Sequence, residues 1–138
     1  MKRFIVTLAA LATSAGTAFA ASHAMAPAVE GMDQDVSGGT VTASKIDAPE
    51  NGWMVVHRTD AEMKPGPVVG YAPIKMGENM DVAAILTEEV ASGDMLMLMV
   101  HSEAGGMKTG VFEYTLGAKE DGPIKPDGKL VMSVITAE

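Results

Sequence analysis

Met95-Leu96-Met97-Leu98-Met99-Val100 is the run that most restricts how this chain can fold. Six consecutive apolar residues are too few for a buried helix and leave no polar side for water. Alternate side chains of an extended strand point to opposite faces, so this strand needs cover on both. The run starts after the turn signal Ser92-Gly93-Asp94 and ends on His101-Ser102. A chain built around it needs a sheet with material packed against both sides.

The rest of the chain is divided by Gly, Pro, Asn and Asp in the same way. Residues 40–47 alternate after Gly38-Gly39, and 53–58 follow Asn51-Gly52. Residues 68–74 follow Lys64-Pro65-Gly66-Pro67, and 80–86 follow Met76-Gly77-Glu78-Asn79. Residues 111–116 place Phe112 and Tyr114 on one face, and 130–136 follow two more turns, Asp121-Gly122-Pro123 and Pro126-Asp127-Gly128. With an eighth short strand around 34–36, the pattern predicts an all-β fold of about seven to eight strands. The architecture expected is an immunoglobulin-like β-sandwich or a small barrel. A helix competes with a strand over 81–90, where Val82, Ile85, Glu88 and Glu89 also fit a helical face.

The N-terminus reads as an export signal. Lys2-Arg3 precede the apolar stretch 4–12, which is too short to span a bilayer, and Ala18-Phe19-Ala20 is a small-x-small cleavage site. The expected organisation is a signal peptide at 1–20, a disordered leader at 21–32 and a single domain at 33–138. A periplasmic or secreted protein, without a membrane span or lipid anchor, follows from that reading. The chain has no cysteine, which excludes thiolate zinc sites, iron–sulfur clusters, blue-copper centres and thiol catalysis. Loss of Lys2 and Arg3 takes the formal charge from −8 to −10. Such acidity repels nucleic acid and leaves a metal ion or another exported protein as the partner classes.

Several short motifs recur in a recognisable order: Asp33-Gln34, Gly52-Trp53-Met54-Val55-Val56-His57, Gly66-Pro67-Val68-Val69-Gly70, Gly77-Glu78-Asn79-Met80-Asp81-Val82, Met99-Val100-His101 and Asp121-Gly122-Pro123. In these the chain resembles a family of small exported domains of unknown function found in haloarchaea and bacteria. The resemblance runs over residues 33–138. It implies an exported β-domain and supplies no activity. The family pattern has an acidic residue shortly after the second His; Ser102-Glu103 stands there in this chain.

One pattern is written twice. Val56-His57 is followed by Met63-Lys64 and Gly66, and Val100-His101 by Met107-Lys108 and Gly110, each pair of equivalents 44 residues apart. One reading is architectural, with two strands leaving the core at the same level. The other is a copper site with His57, His101 and Met63 or Met107 as ligands, since imidazole and thioether together suit Cu(I). On extended strands Met95, Met97, Met99 and His101 share one face, as do Trp53, Val55 and His57. Buried methionines are also ordinary fillers of a central strand. Cleavage after Ala20 would place His23 third in the mature chain, where amine, amides and imidazole can encircle Cu(II). No Gly-x-Ser-x-Gly elbow, phosphate-binding glycine loop or His-Glu-x-x-His is present, so no enzyme is expected. The function expected is a non-catalytic binding or structural module, with copper binding as the alternative.

Overall fold

A computed structural model describes residues 25–138; the expected signal segment 1–20 and His23 lie outside them. Seven strands form one antiparallel sheet: β1 (Ala28–Glu30), β2 (Thr40–Ala48), β3 (Gly52–Thr59), β4 (Val68–Ile74), β5 (Gly77–Leu86), β6 (Met95–Ser102) and β7 (Met132–Thr136). Their order is β1-β2-β5-β4-β3-β6-β7. The all-β expectation holds, and the layers arise from one sheet curled until its edges nearly meet. Asp33 Oδ1 accepts the Thr136 amide at 2.7 Å, Gln34 bridges Ala137, and Ser133 Oγ donates to the Gly31 carbonyl. That curl satisfies edge groups that an open sheet would leave exposed. Among the described residues no helix is long and apolar enough to cross a membrane.

The inside of the curl is the main core. Val41, Ile46, Met54, Val56, Leu96, Leu98 and Ile135 are fully buried there. On β3 and β6 these are the even-numbered residues. The odd-numbered set, Trp53, Val55, His57, Met97, Met99 and His101, is equally buried on the opposite face. It is covered by the 103–131 segment, which turns outward after β6 and lays Phe112 and Tyr114 over it. The two-sided burial demanded by Met95–Val100 is therefore met by a core on one face and a long connection on the other.

Three local expectations are corrected, and one open alternative is decided. Residues 111–116 form no strand: β3 and β7 already occupy both edges of β6, leaving no ladder for them to join. Their alternating aromatics serve as the cover instead. Ala28–Glu30, within the stretch read as a leader, pair with Asp47, Ile46 and Lys45, so order begins before residue 33. Gln34 makes a single bridge rather than an eighth strand. The helical alternative at 81–90 gives way to β5, which pairs with β2 from Gly77 to Ile85.

The Asn51-Gly52 turn is needed for more than direction. A Cβ on Gly52 would overlap the carbonyl of His101 on the neighbouring strand. Gly52→Ala should therefore push β3 from β6 and cost about 1–3 kcal/mol, as overpacking does. An unchanged urea midpoint at constant m-value would contradict this.

Candidate functional site

His57 near the end of β3 and His101 near the end of β6 meet in the face covered by the 103–131 segment. In the ladder Trp53 lies opposite His101, Val55 opposite Met99, and His57 opposite Met97. The strands run antiparallel, so the two Val-His pairs leave the ladder at opposite ends, not at the same level. The imidazoles nonetheless meet, on the face that Val55 and Met99 share with them. Their Nε2 atoms are 3.3 Å apart, with ring centres at 5.4 Å. Both residues are sealed from solvent.

Each ring is held from behind by a main-chain carbonyl. His57 Nδ1 donates to the Gly66 oxygen at 2.7 Å, and His101 Nδ1 donates to the Asp121 oxygen at 2.6 Å. A carbonyl only accepts, so both rings carry their proton on Nδ1 and turn an Nε2 lone pair toward the other. Gly66 reaches this position because it has no side chain; a Cβ there would lie 2.7 Å from the Arg58 carbonyl oxygen. Burial pushes both imidazoles below their ordinary pKa, only partly offset by the carbonyl bonds. His101 falls to about 4, with the neighbouring His57 adding a further lowering. The carbonyl bonds at Nδ1 leave each Nε2 facing the other across 3.3 Å.

Aromatic rings close the site. Tyr114 stands edge-on to His101 at 4.5 Å and to His57 at 5.8 Å. Phe112 stacks on Tyr71 at 4.2 Å and meets Trp53 at 5.4 Å. Asp121 is fully buried: its Oδ2 accepts the Glu113 amide at 2.8 Å, and its Oδ1 has no partner. Beyond Trp53 lies an open cleft of about 850 Å³ lined by Tyr71, Lys75, Glu103 and Phe112. Neither this cleft nor the smaller one beside Leu130 is lined by the histidines.

Of the residues singled out from sequence, His57 and His101 are brought together. Met63 and Met107 stand on the surface, 52% and 92% exposed, while the pair they were expected to join is sealed. The buried thioethers on the histidine face are Met97 and Met99. Tyr114, Gly66 and Asp121 carry roles that the sequence reading did not assign, since Asp121-Gly122-Pro123 signalled only a turn. Several acidic side chains serve the fold: Glu88 and Asp94 bond Arg58, and Asp33 closes the sheet. Among the described residues no cluster of three or more His, Cys, Asp or Glu is arranged to hold a metal.

No curated protein matches this sequence, and no solved structure matches it. One family does match, over residues 27–138, which includes all seven strands and both histidines. Its description is a domain of unknown function (DUF7282), and the chain belongs to that family.

Proposed function

We propose that this domain is an exported, non-catalytic binding module whose ligand is copper, received by Nε2 of His57 and of His101. One observation carries the reading: two buried imidazoles, each held from behind through Nδ1 by a main-chain carbonyl, bring their Nε2 atoms within 3.3 Å of each other. Ligating histidines characteristically donate the other ring N–H to a carbonyl or carboxylate, which is what Gly66 and Asp121 accept here. Two nitrogens on one tetrahedral metal with bonds of about 2.0 Å stand about 3.3 Å apart. Small adjustments of two side chains would therefore seat an ion. Neither of the two clefts described above is lined by the sealed pair, which supports binding rather than turnover. The acidic charge and the N-terminal export signal support a periplasmic or secreted setting.

The test is copper retention by purified protein carrying His23→Ala, which removes the separate N-terminal candidate. About one copper per chain should remain after desalting. At a free concentration 100-fold above Kd the melting temperature should rise by roughly 10 °C. His57→Gln and His101→Gln should each abolish both effects. A His23→Ala protein that retains no copper under reducing or oxidising conditions would sink the reading.

A further inference from the structure

We infer that the His57–His101 site is specific for monovalent copper, with the thioethers of Met97 and Met99 completing the donor set. This rests on the copper reading above and adds the oxidation state and the remaining ligands.

Hard donors are scarce around the pair. No third His, Asp or Glu joins the pair among the described residues. Zinc and divalent copper favour four donors, drawn from nitrogen, oxygen or thiolate sulfur. A two-imidazole site without them is poor for either ion. Soft thioethers, by contrast, select Cu(I).

Two thioethers lie beside the pair in the ladder. Met97 is directly opposite His57 in the ladder, and Met99 lies one pair further along, between the two histidines. Strand alternation puts both on the histidine face. Both are fully buried, and neither belongs to the main core, whose β6 members are Leu96, Leu98 and Val100. The surface methionines 63 and 107 are not needed.

The test compares metals on His23→Ala protein under anaerobic conditions. Cu(I) is generated with ascorbate and titrated against bicinchoninate, with Cu(II) and Zn(II) titrated in parallel. Cu(I) should bind at one per chain and at least about 100-fold more tightly than Zn(II). Met97→Leu/Met99→Leu nearly conserves volume, so it should keep the fold while weakening Cu(I) about tenfold or more. X-ray absorption of the Cu(I) protein should show sulfur as well as nitrogen neighbours, and the sulfur signal should vanish in the double variant. Equal binding of all three ions, or a double variant with unchanged affinity and no sulfur signal in the parent, overturns this inference while leaving the copper reading standing. Retention of no metal at all overturns both.

Discussion

Acidifying the metal-free protein from pH 7 to pH 4 should lower its unfolding free energy by about 3 kcal/mol through His101 alone. The ordinary imidazole value of 6.5 applies to the unfolded chain, and burial holds His101 at about 4 in the folded one. Between those values the unfolded state binds the extra proton. Stability is therefore fully present above pH 6.5, lost as the pH falls toward 4, and level below that. His57 is lowered by the same desolvation and adds in the same direction. The groups facing His101 are His57 from β3, Trp53 across the ladder, and Tyr114 and the Asp121 carbonyl from the covering segment. None presents a carboxylate oxygen to Nε2, so an imidazolium formed there has no ionic partner. Urea unfolding at half-unit pH steps measures the effect, and His101→Gln should flatten the curve between 6.5 and 4. Parallel curves for parent and variant would show that His101 does not titrate this way.

Leu98→Ala should be the most damaging single truncation, costing about 2–5 kcal/mol out of a total of about 5–15. Leu98 sits mid-strand on β6, pairs with Val56 on one side and Ser133 on the other, and is fully buried. Its reach explains the magnitude. Gly31, just after β1, lies so near that a Cβ there would come within 2.5 Å of Leu98 Cδ1. The side chain thus joins the centre of the sheet to the edge that curls back to β7. Its removal opens a cavity where surrounding strands are pinned by ladders and collapse poorly. Met99→Leu, on the opposite face of the same strand, nearly conserves volume and should cost less than about 1.5 kcal/mol. A loss below about 1 kcal/mol for Leu98→Ala, read from urea midpoints, would contradict this account of the closure.

Much of the strand layout is legible along the chain because turn chemistry is local. Lys64-Pro65-Gly66-Pro67 and Ser92-Gly93-Asp94 mark where β4 and β6 begin, and both strands occupy the residues expected, 68–74 and 95–102. The stretch 111–116 misleads for an equally physical reason. Its alternation suits a strand, yet a strand needs a free edge, and edge availability is a property of the whole sheet. Pairing of β5 with β2 and of β6 with β7 joins residues far apart in sequence, which no local preference specifies. The same limit hid Asp121 and Tyr114. One contributes a backbone carbonyl and the other a ring edge, and neither function has a sequence signature.

The sequence by itself determined that Met95–Val100 would be a strand buried on both faces, and that His57 and His101 would each end such a run. Period-two alternation and short apolar length suffice for that, since both act within a few residues. Only the tertiary structure decided what the two faces meet. Antiparallel pairing of β3 with β6 sets Trp53 against His101 and His57 against Met97, and that register aims two imidazoles at each other. The 103–131 segment then folds over them and supplies the Asp121 carbonyl that orients His101. A doubled motif becomes a candidate copper site through long-range register and burial.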